Sequence, residues 1–220
     1  MGLIPDQHKG HLKEEFEKQL VGDVRLTVFT QETECMFCRE ARELVQEVAA
    51  ISNKLKVDVF DFVKDAGKAE EYGIDKVPSI IVTGRKPYGI RFYGVPAGYE
   101  FKPLVDDIIN ASRGATSLSE ATKERLKSID RPVHIQVFVT PTCPYCPTAT
   151  GLAHQFAIES DLIKSDMVEV TEFPHLAQKY AVMSVPKIVI NETVQFVGAL
   201  PEDHFVQYVL LAVKPSKIYI

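Results

Sequence analysis

The chain of 220 residues contains an internal repeat, and this repeat restricts the fold more than any other feature of the sequence. Cys35-Met-Phe-Cys38 recurs as Cys143-Pro-Tyr-Cys146, 108 residues later. Val77-Pro78 recurs as Val185-Pro186 at the same shift. Because unrelated segments rarely share several spacings, the sequence predicts two copies of one fold.

Both copies show the same order of predicted elements. In the first copy, strands are expected at 24–30, 56–62 and 79–83 and up to position 94, with helices at 37–52, 66–72 and 101–113. In the second, strands are expected at 134–140, 167–172 and 187–191 and up to position 198, with helices after 143 to about 160, at 174–180 and at 201–213. Two more helices, at 7–20 and 119–128, lie outside this repeated core.

This order predicts an α/β fold of two tandem units, each with a mixed four-stranded central sheet flanked by helices. Glycine and serine interrupt the pattern at 113–118, which favours a boundary there. We therefore expect an N-terminal unit at 1–115 and a C-terminal unit at 116–220.

Composition excludes several classes of function. The net charge is −5 without a basic block, so we expect no nucleic-acid partner. Apolar runs are too short to cross a bilayer, so we expect no membrane association. The N-terminus lacks the apolar core of a secretory signal, which favours a cytoplasmic location.

All four cysteines fall in the two tight pairs, a pattern typical of redox or metal chemistry. Cysteine reacts as the thiolate, and a helix N-terminus after the predicted strand and loop stabilises that anion. Two intervening residues place the two sulfurs within disulfide distance. We predict Cys35 and Cys143 as nucleophiles, and Cys38 and Cys146 as the thiols that resolve the mixed disulfide.

Zinc is the alternative for a Cys-x-x-Cys pair. A zinc site needs a second pair about 15–20 residues away or histidines nearby. Here the pairs are 105 residues apart, and none of the six histidines lies at ligand spacing from a cysteine. We therefore predict no metal site.

A strand, a Cys-x-x-Cys pair, Val-Pro 40 residues beyond it, and then a hairpin and a helix resemble the thioredoxin fold. The segments Arg91–Phe101 and Phe138–Cys146 resemble the glutaredoxin-like protein disulfide oxidoreductases of thermophilic archaea and bacteria, and the resemblance covers essentially the whole chain. It implies an enzyme that reduces, oxidises and isomerises protein disulfides, with no cofactor besides its redox-active disulfides. Only three asparagines occur, which agrees with a thermophile.

The resemblance also implies roles for residues around the cysteines. Pro78 and Pro186 would be cis-prolines facing the thiols, and the backbone of Val77 and Val185 would pair with an extended substrate. A trans proline at the start of a strand is the alternative. Residues within the motifs would line the entrance to the thiols or set the start of the helix: Phe37, Pro144 and Tyr145.

A proton acceptor for the resolving thiol is not evident. Phe29 and Val137 occupy the places where classical thioredoxins carry a buried aspartate, and the chain has no tryptophan. Asp61 and Glu169 are repeat-related candidates, because a half-buried carboxylate with a raised pKa can act as a general base. Both could equally be solvent-facing strand residues.

The resemblance implies protein substrates, re-reduction by a thioredoxin-reductase-type flavoenzyme, and a peroxiredoxin as a further partner. One alternative function is a dedicated electron carrier to a peroxidase or ribonucleotide reductase system. The alkyl hydroperoxide reductase flavoprotein also begins with tandem thioredoxin folds, but it keeps one cysteine pair where this chain has two. A non-enzymatic chaperone or scaffold with structural cysteines is a third possibility.

Overall fold

The computed structural model describes residues 2–214, so residue 1 of the first predicted unit and residues 215–220 of the second lie outside the described residues. The first unit contains α1 (Asp6–Gln19), β1 (Val24–Thr30), α2 (Cys38–Ala49), β2 (Leu55–Asp61), α3 (Ala66–Tyr72), β3 (Ser79–Thr83), β4 (Pro87–Tyr93) and α4 (Phe101–Arg113). A short 3-10 turn, Gly98–Glu100, precedes α4.

The second unit repeats this order. It contains α5 (Glu120–Lys127), β5 (Val133–Val139), α6 (Cys146–Glu159), β6 (Ile163–Glu169), α7 (Pro174–Lys179), β7 (Lys187–Ile190), β8 (Val194–Val197) and α8 (Glu202–Val213). In each unit the first two strands are parallel and the last two form an antiparallel hairpin. The predicted fold class, an α/β protein of two tandem thioredoxin-like units, is confirmed.

The two four-stranded sheets join into one sheet of eight strands, ordered β2-β1-β3-β4-β6-β5-β7-β8. The junction is a parallel pairing of β4 with β6, which aligns Ile90 with Ser165 and Tyr93 with Val168. Gly89 permits this approach, because a Cβ added there would lie 2.2 Å from the carbonyl oxygen of Ile163. The sequence did not predict this pairing between the units.

A buried ion pair lies across the junction. The Arg91 guanidinium on β4 donates two hydrogen bonds to the Asp166 carboxylate on β6, at 2.6 and 3.0 Å. His134 Nε2 lies 2.6 Å from the same carboxylate. Burial alone raises the pKa of Asp166, but the hydrogen bond to His134 and the charge of Arg91 outweigh it and hold the pKa below its ordinary value.

The predicted strand 167–172 is wrong in its bounds, because β6 begins at Ile163 and ends at Glu169. Its first half includes the consecutive polar residues Lys164, Ser165 and Asp166, which interrupt the apolar pattern by which a buried strand is recognised in a sequence. Ser165 and Asp166 are nevertheless buried, because β6 lies at the centre of the joined sheet.

Helices cover the sheet with amphipathic faces. In α2 the buried positions Ala41, Leu44, Val45 and Val48 recur at helical spacing. The helices α4 of the first unit and α6 of the second pack on each other at the junction. Among residues 2–214, no helix is both long and apolar enough to cross a membrane.

Candidate active site at two cysteine pairs

Each cysteine pair lies where a central strand passes through a short loop into a helix. Cys35 and Cys38 are joined in a disulfide, as are Cys143 and Cys146, and the Cα–Cα separation is 5.5 Å in both pairs. In both units the helix begins at the second cysteine of the pair. Each pair therefore lies at a helix N-terminus, where the unpaired N–H groups of the first turn favour an anion.

The two pairs differ in exposure and in hydrogen bonding. Cys35 is half-buried, whereas Cys143 is only 7% exposed. The backbone N–H of Cys146 donates to Cys143 Sγ at 3.1 Å, an arrangement that favours a thiolate after reduction. In the first unit the N–H of Gln31 donates instead to Cys38 Sγ, at 3.2 Å.

The two prolines lie at the same end of the sheet as the cysteine loops. Strand β3 begins at Ser79, which is paired with Phe29 near the end of β1, and the corresponding pair in the second unit is Lys187 with Phe138. The Val77-Pro78 and Val185-Pro186 bonds are both cis, as the family resemblance implies. Both prolines are buried.

The remaining motif residues differ in exposure. Val77 and Val185 are half-buried, as is Phe37, whereas Pro144 is exposed. Tyr145 is 70% exposed. Two other apolar side chains beside the second site are also open to solvent: Met183 at 92% and Val197 at 54%.

Asp61 does not have the raised pKa expected of a general base. Its Oδ1 accepts hydrogen bonds from the backbone N–H groups of Lys64 and Val63, at 2.8 and 3.0 Å. These bonds, that of Lys64 first, lower the pKa of Asp61. The side chain therefore orders the turn that follows β2.

Glu169 is buried, at 1% exposure, but its carboxylate is also occupied by the turn that follows its strand. Its oxygens accept hydrogen bonds from the N–H and hydroxyl of Thr171 and from the N–H of Glu172. The repeat-related acids Asp61 and Glu169 thus share a turn-capping arrangement, in which only the second is shielded from solvent.

Glu100 was missed by the sequence reasoning. It is 1% exposed, and burial raises its pKa to about 7. The turn that carries it is attached to the loop before Cys143, because the Tyr99 N–H donates to the Pro141 carbonyl at 3.0 Å. In the sequence, an acid in the first turn of a helix is typical of an exposed dipole partner, so no local signal marked it as buried.

A cavity of about 900 Å³ is lined by residues of both units. Phe37 of the first motif and Pro141 of the loop before the second motif are both part of its lining. Glu172 also lines it and accepts a hydrogen bond from the Val95 N–H at 2.7 Å. Burial raises the pKa of Glu172 to about 7, although the hydrogen bond from Val95 opposes the rise; the charges of Glu169 and Glu40 add to it. Within residues 2–214, no group of three or more His, Cys, Asp or Glu side chains is arranged to hold a metal ion.

The chain resembles known proteins over part of its second unit and over most of its length. Residues 133–211 match the family model described as a thioredoxin domain. A thioredoxin of Methanocaldococcus jannaschii is 38% identical over 76 residues, which cover 34% of this chain and 89% of that protein.

A second resemblance is to the alkyl hydroperoxide reductase component AhpF. The Staphylococcus epidermidis protein is 25% identical over 153 residues, which cover 69% of this chain but only 27% of that longer protein. The N-terminal domain of AhpF from Enterococcus faecalis superimposes with a TM-score of 0.87 at 23% identity, covering 94% of this chain and 99% of that one. This likeness shows a shared fold.

The third resemblance extends over both units at higher identity. A protein disulfide oxidoreductase from Aeropyrum pernix K1 superimposes with a TM-score of 0.88. The two sequences are 36% identical, and the match covers 95% of this chain and 93% of that one. With two thioredoxin-like units and two Cys-x-x-Cys sites of shared geometry, the chain belongs to the protein disulfide oxidoreductase family.

Proposed function

We propose that the chain catalyses thiol–disulfide exchange with protein substrates at both cysteine pairs, and that it reduces, oxidises and isomerises their disulfides. The observation that carries this proposal is the repeated site: a disulfide at a helix start, at the same end of the sheet as a buried proline. Exposed apolar side chains beside the second site, Tyr145, Met183 and Val197, are suited to contact unfolded polypeptide.

In the reductive direction, the Cys143 thiolate attacks a substrate disulfide, forms a mixed disulfide and releases one substrate thiolate, which takes a proton from water. Cys146 then loses its proton and attacks the Cys143 sulfur. The Cys143–Cys146 disulfide forms and the second substrate thiolate leaves. Two electrons pass from the enzyme dithiol to the substrate. The same steps apply to Cys35 as nucleophile and Cys38 as resolving thiol.

Glu100 is the proton acceptor that best fits the second site. It is buried beside α6, and a carboxylate with a pKa of about 7 can take up and return a proton near neutral pH. We expect Glu100→Gln to slow resolution of the mixed disulfide at Cys143 by about a hundredfold. Glu169, the candidate from the sequence, is the second candidate at this site. Asp61 is the corresponding candidate at the first site, where its lowered pKa makes it the weaker base.

The substrate backbone is expected to pair with Val77 and Val185, the residues that precede the buried prolines Pro78 and Pro186. Phe37, Pro144 and Tyr145 flank the thiols and contact the substrate side chains. We propose the unit boundary at 115/116, just beyond Gly114, which ends α4 with a positive φ of 66°.

Insulin reduction and reactivation of a protein with scrambled disulfides test the proposal. Wild type is compared with Cys35→Ser/Cys38→Ser, with Cys143→Ser/Cys146→Ser and with the quadruple serine variant as a blank. Each double variant should retain part of the activity, and the blank should retain none. A quadruple variant as active as wild type would refute exchange at these cysteines, and reduction without reactivation would confine the function to reduction.

A second candidate is electron delivery to a peroxide-reducing system, favoured by the likeness to AhpF of alkyl hydroperoxide reductase. A thioredoxin-reductase-type flavoenzyme is the expected electron donor in either case, and a peroxiredoxin would be the acceptor in this one. Turnover of a peroxiredoxin much faster than that of insulin, with the same flavoenzyme and nicotinamide cofactor, would favour the carrier.

A further inference from the structure

The helix that follows the second cysteine pair carries a row of buried polar groups. Cys146, Thr150 and His154 follow one another at four-residue spacing on α6, so they share one face of the helix. Each of the three is 0% exposed. Hydroxyl and imidazole groups are rarely buried without a structural or chemical reason, because they lose their hydrogen bonds to water.

The first unit completes this row. Asp107 on α4 is 1% exposed, and its Oδ2 lies 2.5 Å from His154 Nδ1, so the two side chains are hydrogen-bonded. Burial raises the pKa of Asp107, and the charge of His154 opposes the rise. Phe92 packs edge-to-face on the His154 ring, at 4.8 Å between ring centres, and fixes its plane. We call Thr150, His154 and Asp107 the buried polar row.

Glu100 faces this row. Among residues 2–214, neither of its carboxylate oxygens nor the Thr150 hydroxyl makes a hydrogen bond of good geometry, and His154 Nε2 is likewise unpaired. The groups that act on the Glu100 carboxylate come from two elements: Thr150 and His154 of α6 lower its pKa, whereas Asp107 of α4 raises it. These effects modify the larger effect of burial.

We propose that Thr150, His154 and Asp107 are positioning residues of the second redox site, which orient Glu100 and set its protonation for proton exchange with Cys146. This inference rests on the role of Glu100 proposed above. The unpaired Thr150 hydroxyl lies one helical turn from Cys146 and is free to hold the carboxylate after a small rotation. The hydrogen bond to Asp107 holds the His154 ring in place beside the carboxylate, where His154 favours and Asp107 opposes the loss of the Glu100 proton.

The first unit offers a matched comparison, because the row is absent there. The repeat equivalents of Thr150 and His154 are Arg42, which is half-buried, and Gln46, which is exposed. Cys38 is therefore followed by a solvated helix face. We expect the pH dependence of the first pair to be independent of these positions.

The test uses Thr150→Val in the Cys35→Ser/Cys38→Ser background, where only the second pair reacts. Rates of single-turnover reduction of a small disulfide are measured from pH 5 to 9. Loss of the hydroxyl removes a group that lowers the pKa of Glu100, so the apparent pKa of the profile should rise and the rate at pH 7 should fall several-fold. Asp107→Asn removes an anion and should move the apparent pKa down. Thr150→Ser should restore the wild-type profile.

Three controls keep the outcomes separate. Gln46→Val, at the repeat equivalent of His154, should leave the second-site profile unchanged. A profile that responds to Glu100→Gln but not to Thr150→Val or Asp107→Asn would overturn the positioning role alone. A profile indifferent to Glu100→Gln would overturn both that role and the proton acceptor proposed above. Thermal unfolding midpoints identify any variant that fails to fold. If Asp107→Asn or Glu100→Gln fails, Thr150→Val decides whether the positioning role holds, because valine has nearly the same shape as threonine.

Discussion

The two cysteine pairs occupy equivalent places in a repeated fold but have different surroundings. The first pair includes the half-buried Cys35 and is followed by a helix face that reaches solvent at Gln46. The second is enclosed, with Cys143 at 7% exposure and the buried polar row behind it. The disulfide geometry is shared, with the same 5.5 Å between Cα atoms. The difference therefore lies in the supporting side chains.

Much of this asymmetry comes from contacts between the units. Glu100 and Asp107 belong to the first unit but lie against α6 of the second. In the opposite direction, Glu172 of the second unit accepts a hydrogen bond from the Val95 N–H of the first. Val95 follows Gly94, whose N–H donates to the carbonyl of Pro78 at the first site. Joining two copies in one sheet thus places side chains of each unit beside the redox site of the other.

The largest expected difference between repeat-related positions is that between Asp166 and Asp58. Asp166→Asn leaves the buried Arg91 without its counter-ion and should cost about 3–5 kcal/mol of unfolding free energy. Asp58 pairs with Arg25 at the surface, where both side chains are at least a third exposed, so Asp58→Asn should cost about 0–1 kcal/mol. Denaturant unfolding of the two variants measures the contrast, and equal costs would contradict a structural role for the junction.

The sequence predicted the parts of the fold that depend on local pattern. The bounds of β1, β3 and α4 agree with the predicted ranges to the residue, because apolar residues fill most of their buried positions. Strand β6 was misplaced, because Asp166 and Ser165 are buried by a strand of the other unit. Pairing between β4 and β6 is a long-range contact that no local pattern encodes.

In the candidate site, too, only the features marked by local sequence could be predicted. The cysteine pairs and the prolines are recognisable because each motif is short and repeated. The burial of the carboxylates could not be predicted, since Asp61 and Glu169 share a repeat position but differ in exposure. Glu100 lies against α6 of the second unit, so its burial and raised pKa depend in part on the packing of the two units.

A second contrast concerns Gly94 and Gly198, which occupy equivalent positions with φ of 97° and 98°. Alanine at either position should cost about 1–3 kcal/mol through backbone strain. A Cβ at Gly94 would also lie 2.7 Å from Glu169 Cβ and 2.9 Å from Glu172 Oε1, whereas nothing lies within 4 Å at Gly198. Gly94→Ala should therefore cost about 1–3 kcal/mol more than Gly198→Ala.

Denaturant unfolding again provides the measurement for the glycines. Gly151→Ala is the matched control, because Gly151 lies inside α6 with open space around its Cα. That substitution should stabilise the protein by about 0.5–1 kcal/mol. Equal losses of unfolding free energy in Gly94→Ala and Gly198→Ala would show that Glu169 and Glu172 do not restrict the space at Gly94.

The smallest expected contrast is in the pH dependence of stability contributed by Glu172 and Asp61. The pKa of Glu172 is about 7 in the folded protein against an ordinary 4.5, so between these values the folded state binds more protons than the unfolded state. Stability contributed by its protonated form is therefore lost as the pH rises from 5 to 8. Asp61 has a lowered pKa, so its contribution is present above its unfolded pKa and is lost in acid.

Glu172→Gln keeps an acceptor for the Val95 N–H but cannot ionise. Relative to wild type, it should gain about 1 kcal/mol of unfolding free energy between pH 5 and pH 8, a figure reduced for partial exposure of the side chain. Asp61→Asn should lose stability at pH 8 and lose less at pH 3, which is the opposite trend. Parallel pH profiles for wild type and Glu172→Gln would mean that solvent reaches this carboxylate freely. The cavity lined by Phe37 and Glu172 would then be filled with water. The first site would be more exposed to solvent than the second on this side as well.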